Sequence, residues 1–299
     1  MASRRMRPAA ASFPMRTALA LLAVLACGCA PGAARAGEPS SVSAEASAQE
    51  GAVRAVLTYR EGLGGPLPYF DLKLEITRSG ASFYEQPVSS RFCQSGCEPE
   101  TIDSAPPKGD SVAVSELEGN EQPNVVLGLS TGGAHCCTVV QVFSYDPGTM
   151  TYGITEHDFG DPGALLRTLE GNPRPVFESG DDRFAYKFAT YAGSAFPLEI
   201  WSFQEGRFVN ATRSFATQIA AQAASLFKGF LAGRGHGEGL GAIAAWAADE
   251  DELGHSALVA SVLAREQRHG ELRSHEHYGP SGAAFVRALG RFLKRTGYR

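Results

Sequence analysis

Alternating apolar and polar residues dominate the chain between residues 52 and 210. Residues 71–77 place every second side chain, all apolar, on one face of a predicted strand. Ser79-Gly80 predicts a turn into residues 82–84, and residues 53–59 form another β-branched run. Gly, Pro, Asn and Asp interrupt these runs at intervals of about ten residues, which is typical of antiparallel all-β domains.

The turn sequence Leu-Glu-Gly-Asn occurs at residues 117–120 and again at 169–172. Each copy follows a short apolar run and leads into another. Such self-similarity at a fixed spacing indicates a repeated supersecondary unit. Further along, residues 184–188 alternate aromatic and other side chains and predict a strand, and residues 198–203 and 207–209 predict a hairpin.

The apolar period changes near Ser214 to steps of three and four residues, the spacing of one helix face. Helices are predicted over residues 217–231, 243–253 and 257–264. A fourth begins at Ser281 and ends at Gly297.

These patterns predict an α+β protein with segregated parts. An all-β repeat domain, a partial propeller or a sandwich, is expected over residues 52–212. A small α-helical domain is expected over residues 213–299. Residues 37–51 contain few large apolar residues and are expected to form a disordered spacer.

Residues 1–36 have the features of an export signal. A basic start precedes the apolar run 18–26, and Ala34-Arg35-Ala36 forms a small-residue cleavage site. The mature protein is expected to be extracytoplasmic, either secreted or lipid-anchored at the cell surface. The anchor would be Cys27, at the end of a lipobox-like sequence, with Cys29 as a second candidate; Ser3-Arg4-Arg5 also resembles a twin-arginine signal.

Charge limits the partners. The signal contains five of the 27 Lys and Arg residues and none of the 32 Asp and Glu residues. The remainder has 22 basic and 32 acidic residues, a formal net charge of −10. An acidic exported protein repels nucleic acid, and contact with a membrane is expected only through the signal or a lipid anchor.

Four cysteines follow the signal: Cys93, Cys97, Cys136 and Cys137. An even number in an oxidising compartment favours disulfides, and three pairings are open. A bond between the two groups would close a loop of about 40 residues and stabilise the chain by about 3–4 kcal/mol. A vicinal Cys136–Cys137 bond and a zinc site that includes His135 are the alternatives.

Residues 112–212 resemble FG-GAP/VCBS-type repeats, the modules of integrin-α-like β-propellers. The Leu-Glu-Gly-Asn turns are similar to the loops of those repeats. The sequences Thr-Gly-Gly-Ala-His-Cys-Cys at 131–137 and Asp-Asp-Arg-Phe at 181–184 resemble uncharacterised secreted actinobacterial proteins of this type, and the similarity extends to residues 244–249. The resemblance implies a secreted β-repeat protein and, between two strands, a calcium-binding loop.

The first loop retains oxygen-bearing side chains at the spacing of that loop, on Glu116, Glu118, Asn120 and Asn124. Glu121 stands where a glycine is expected, and two ligands are longer than aspartate, so any calcium binding should be weak. The alternative is a hairpin turn without metal. The second copy has Thr168, Glu170, Asn172 and Val176 at these positions and has lost too much of the ligand set to be expected to bind calcium.

Catalytic motifs are scarce. The chain has no His-Glu-x-x-His and no P-loop. Asp181-Asp182 are candidate paired carboxylates, although beside Gly180 they also suit a turn. Residues 274–277 contain a His-Glu-His sequence that suits a transition metal or a solvated loop.

The sequence therefore favours an exported, non-catalytic binding or structural module of the cell envelope, with a protein or glycan as ligand. One alternative is an extracytoplasmic hydrolase acting in a cleft between the β-domain and the helical tail. Another is a thiol or metal protein centred on Cys136-Cys137.

Overall fold

Three antiparallel sheets precede four helices in the computed structural model. The structure describes residues 41–63, 68–93, 96–102, 110–133, 136–234, 236, 238–274 and 278–299. The export signal with Cys27, together with His135 and residues 275–277, lies outside the described residues. The prediction of strands followed by a helical region is confirmed.

The first sheet is a meander of four strands in chain order: β1 (Ser41–Glu50), β2 (Val53–Gly62), β3 (Tyr69–Arg78) and β4 (Ala81–Pro87). The prediction of a disordered spacer over residues 37–51 is wrong from Ser41 onward. β1 pairs with β2 along its whole length. Ala46, opposite Leu57, is buried with it, and partly buried Ala48 packs on the same core. The inner face of this edge strand thus consists of alternating alanines, whose small side chains give only a weak apolar pattern in the sequence.

The second sheet has five strands: β5 (Glu98–Pro99), β6 (Val112–Ser115), β7 (Asn124–Gly133), β8 (Cys136–Asp146) and β9 (Thr151–Asp158). Both β5 and β6 pair with β7, which pairs with β8, and β8 pairs with β9. The third sheet is again a four-stranded meander: β10 (Ala164–Arg167), β11 (Val176–Gly180), β12 (Leu198–Gln204) and β13 (Arg207–Asn210).

The two Leu-Glu-Gly-Asn turns occupy equivalent positions in these sheets. The first connects β6 to β7 and the second connects β10 to β11, so each joins a four-residue strand to its antiparallel partner. The turns also meet, because Nη1 of Arg174 donates to the carbonyl of Glu118 at 2.9 Å.

The sheets stack as successive layers, and the second sheet is buried on both faces. Alternate side chains of β7 and β8 point in opposite directions, so one set packs on the first sheet and the other on the third. The set facing the first sheet includes Val125, Leu127, Leu129, Val139 and Phe143. The set facing the third sheet includes Val126, Val140 and Val142, which pack with Phe177 and Phe203.

The helices form the fourth layer: α1 (Ala216–Gly233), α2 (Leu240–Glu252), α3 (Ser256–His269) and α4 (Gly282–Thr296). All four predicted helices are present. The last has Ser281 as its N-cap residue and ends at Gly297, whose φ of 88° suits a glycine. None of the helices in the described ranges is long and apolar enough to cross a membrane.

The strand predicted over residues 184–188 is wrong. Asp182–Phe184 is a short 3₁₀ helix, capped by the side chain of Asp181, which accepts from the backbone N–H of Arg183. Phe184 and Phe188 are both buried in the core of the helical layer. The spacing of these two rings therefore suits packing between the helices and not a strand. The core of the helical layer thus includes residues that precede the last two strands in the chain.

Candidate functional site

A cleft of about 490 Å³ opens where the second and third sheets meet. β8 and β9 supply one side, and β11, β12 and the segment after β11 supply the other. We call it the interlayer cleft, and its chemically informative side chains are those of Cys137, His157, Asp158, Asp181, Asp182, Arg183, Glu199 and Trp201.

Asp181 forms the rigid base of this cleft. Its side chain is almost completely buried and accepts four hydrogen bonds. Arg183 donates its backbone N–H and its Nε to Oδ1, at 3.0 and 2.7 Å, and its Nη2 to Oδ2 at 2.7 Å. The hydroxyl of Tyr298 donates to Oδ2 at 2.9 Å. Because the carboxylate is fully engaged, Asp181 holds Arg183 in place and is not free to act as an acid or base.

The predicted pairing of Asp181 with Asp182 as joint catalytic carboxylates therefore does not match the geometry. Asp182 points away from this network, and its Oδ1 accepts from the backbone N–H of Asp161 at 3.1 Å. Gly160, with a φ of +65°, packs so closely on Asp182 that a Cβ at residue 160 would collide with its carboxyl group.

Glu199 and Trp201 project from the same face of β12 because they are two residues apart. The indole Nε1 of Trp201 donates to Oε2 of Glu199 at 3.1 Å, and Oε1 lies 4.0 Å from Nη2 of Arg183. Burial raises the pKa of Glu199, and the charge of Asp181 adds to the effect. Burial likewise raises the pKa of Asp182, with further contributions from Asp161 and Asp158.

Aromatic rings form the opposite wall. The ring of His157, at the end of β9, lies 4.5 Å from the ring of Trp201 and 4.6 Å from that of Phe159. Burial lowers the pKa of His157, which Asp158 only partly offsets. The imidazole is therefore neutral at neutral pH and acts as part of an uncharged aromatic surface.

Sequence reasoning gave no role to His157 or Glu199. Both lie in predicted or observed strands whose alternation predicts only which side chains share a face. The only local signal in the sequence is a glutamate between two apolar residues of a predicted strand, at Leu198-Glu199-Ile200.

The cysteines pair locally: Cys93 with Cys97, and Cys136 with Cys137. The expected bond across a loop of about 40 residues is wrong, because each cysteine pairs with one at most four residues away. Cys97 is buried in the core between the first two sheets, whereas Cys137 lies at the edge of the interlayer cleft. Among the described residues, no three His, Cys, Asp or Glu side chains form a group suited to a metal ion.

The oxygens of the first Leu-Glu-Gly-Asn loop accept internal hydrogen bonds. Oε1 of Glu116 accepts from the backbone N–H groups of residues 118–120. Glu118 accepts from the side chain of Asn124 at 3.1 Å and from the backbone N–H of Gly206 at 2.8 Å. Asn120 caps the N–H of Gln122. In this arrangement the loop is a hydrogen-bonded hairpin turn that also ties the second sheet to the third.

Comparison with known proteins gives one partial relative. A probable thylakoid lumen protein of Synechocystis sp. is 34% identical over 94 residues, which are 31% of this chain and 28% of the relative. The matched region thus covers under a third of the relative's length. No family model matches the chain, and no solved structure matches it.

Proposed function

We propose that the protein is an exported, non-catalytic binding module of the cell envelope, built on FG-GAP-like repeats, and that the interlayer cleft is its binding site. The observation that carries the proposal is the cleft itself. Charged, amide and aromatic side chains line a space large enough for a small polar molecule, and a few convergent polar groups in a preformed cleft are typical of binding sites.

The fixed position of Arg183 supports binding over catalysis. The guanidinium is held by Asp181 on one side and donates Nη1 to the carbonyl of Thr296 at 3.2 Å on the other. Such side chains are preorganised and lose little conformational entropy when a ligand binds.

The repeat relationship is supported by the equivalent positions of the two Leu-Glu-Gly-Asn turns and by stacked antiparallel sheets, two of which are four-stranded meanders. Export is supported by the signal-like residues 1–36 and agrees with the lumenal location in the name of the partial relative. N-terminal sequencing of the mature protein should find Gly37 or an acylated Cys27 as the first residue. An intact Met1 would contradict export.

Binding is testable by intrinsic fluorescence because the chain has two tryptophans. Trp201 lines the cleft, whereas Trp246 is buried among the helices and serves as an internal reference. Small mono- and disaccharides and polar metabolites should be screened for quenching or a wavelength shift. The response should disappear in Trp201→Phe and persist in Trp246→Phe. Signals that never depend on Trp201 would argue against the cleft as the site.

A hydrolase is the second candidate, favoured by one observation. Asp182 and Glu199 line the same cleft, and both carboxyl groups have raised pKa values. A carboxyl group with a raised pKa is suited to proton transfer. Incubation with cell-wall polysaccharides, followed by a reducing-end assay, tests it. Release of sugar that is abolished by Glu199→Gln would establish the hydrolase and replace the non-catalytic proposal.

A further inference from the structure

The charges that line the interlayer cleft do not balance. Arg183 is the only basic side chain among its described lining residues, and the bidentate contact with Asp181 neutralises it. Asp158, Asp182 and Glu199 remain as acidic groups. Among the described residues, neither Asp158 nor Asp182 has a basic side chain within 4.0 Å, and Glu199 reaches only Arg183 at that limit.

The acidic groups occupy positions fixed by the backbone. Oδ1 of Asp158 accepts from the N–H of Gly160 at 2.9 Å, and Asp182 is held by Asp161 N–H and packed against Gly160. Both residues line the cleft. Burial and repulsion from neighbouring carboxylates act against the ionised form of Asp182, so a positive charge entering the cleft would relieve both effects.

The uncharged aromatic wall is the second, independent feature. Trp201 and neutral His157 present adjacent ring systems beside the carboxylates, with a centroid separation of 4.5 Å. Indole is the ring that attracts cations most strongly, and a cation in a partly dehydrated site gains more from it than one in water. A carboxylate cluster in open solvent would lack this wall and would attract any counter-ion without selectivity.

The geometry points to a small organic cation, a ligand with a protonated amine on a compact polar frame, as the occupant of the interlayer cleft. The ammonium group lies among Asp158, Asp182 and Glu199, and the rest of the ligand packs on Trp201. The inference rests on the proposed binding function and specifies the ligand class. The volume of about 490 Å³ suits a monosaccharide-sized molecule.

Glucosamine and glucose form a matched pair of probes, since they differ in one amine and share the same ring. Titration followed by Trp201 fluorescence should give a glucosamine affinity at least about tenfold higher than that for glucose, as expected for charge-assisted hydrogen bonds in a partly buried site. 1,5-Diaminopentane tests whether the charge suffices without the sugar ring. Raising the salt concentration should weaken binding of both amines.

Variants locate the charge. Asp182→Asn and Glu199→Gln should each weaken glucosamine binding by about tenfold and leave the weak glucose response unchanged. Glu205→Gln is the matched control, because Glu205 is highly exposed on the β12–β13 turn and pairs there with Arg207. That control should bind glucosamine like the unaltered protein. Circular dichroism confirms that each variant is folded.

Two results would overturn the inference. Glucose binding as tightly as glucosamine, with a Trp201-dependent signal, would show a binding cleft without charge selectivity and leave the proposed function intact. A failure of both amines, while another compound from the screen binds through Trp201, would likewise reject the cationic ligand alone. If no compound at all gives a Trp201-dependent signal, the proposed function itself fails.

Discussion

The two faces of the third sheet are held in different ways. Toward the second sheet the contact outside the cleft is apolar and largely aromatic, with Phe177 and Phe203 completely or almost completely buried. Toward the helices a smaller apolar cluster around Ile200 is supplemented by buried polar groups, of which Asp181 and Asp249 are the most enclosed. Non-directional apolar packing joins the sheets, whereas directional hydrogen bonds fix the helical layer.

The polar contacts join residues that are far apart in the chain. Arg213 contacts Glu252 and donates Nη2 to the carbonyl of Gly297 at 3.0 Å, and Arg299 contacts Asp251. Arg213 is largely exposed, and exposed ion pairs add little stability, so these contacts define one orientation of the helices more than they add stability. The interlayer cleft lies at the end of the third sheet where the two kinds of contact meet.

The largest expected loss of stability is on the face of the third sheet that packs on the second sheet. Phe177→Ala removes a fully buried ring that contacts Phe159 and Phe208, and it should lower the free energy of unfolding by about 3–5 kcal/mol. Denaturant unfolding followed by circular dichroism measures the loss. Val209→Ala on the exposed edge strand is the control and should change stability by less than about 0.5 kcal/mol. A loss below about 1 kcal/mol for Phe177→Ala would mean that the two sheets are not closely packed.

The next largest loss of stability is expected on the face of the third sheet that packs on the helices, where the contacts are polar. Asp181→Ala leaves the Tyr298 hydroxyl without its acceptor and Arg183 without its partner, and should cost about 2–3 kcal/mol because Arg183 is half-exposed and regains water. Tyr298→Phe removes a single hydrogen bond and should cost about 1 kcal/mol. The same unfolding assay ranks them. Equal effects of the two variants would show that the hydrogen bond from Tyr298 accounts for the whole loss and that the contact with Arg183 adds no stability.

Many of the strands and all four helices could be predicted from the sequence. Strand alternation and helical periodicity predicted β2, β3 and all four helices, because side chains that share a face repeat at fixed spacing. The polar face was not predictable in this way. Asp181 and Tyr298 are 117 residues apart, and neither has a local pattern that identifies its partner. The strand β1 and the 3₁₀ helix after β11 were not predicted either, since pairing with β2 and insertion into the helical core override their local signals.

Asp249 makes the polar face sensitive to pH. It is almost completely buried, its Oδ1 accepts from the N–H of Leu198 at 3.0 Å, and burial raises its pKa to about 8. In the unfolded chain the same carboxyl has a pKa near 4. Between these values the folded protein binds more protons than the unfolded chain, so stability is greatest below about pH 4 as far as this group is concerned and falls as the pH rises to about 8.

Asp249→Asn should remove that slope. The advantage of the variant over the unaltered protein should grow by on the order of 4 kcal/mol between pH 5 and pH 8, since the amide never ionises. Melting temperatures measured from pH 4 to pH 9 provide the test. Asp71→Asn, at a largely exposed side chain, is the control and should leave the slope unchanged. An identical slope in Asp249→Asn would assign the pH dependence to other groups.

The smallest expected effect concerns the hydrogen bonds of Glu118, which lie within the mainly apolar contact between the second and third sheets. Glu118 in the first Leu-Glu-Gly-Asn turn bonds to Gly206 of the third sheet and to Asn124 of β7, so its oxygens already have donors. Calcium must displace these bonds, and we therefore expect no change in melting temperature at 10 mM calcium. A site with a Kd of ~1 mM would instead add about 1.4 kcal/mol under these conditions. Glu118→Gln should cost about 1 kcal/mol with or without calcium, because it weakens the hydrogen bonds between the sheets. Stabilisation by calcium that disappears in Glu118→Gln would show that the turn is a metal loop, and that charge as well as apolar packing joins the two sheets.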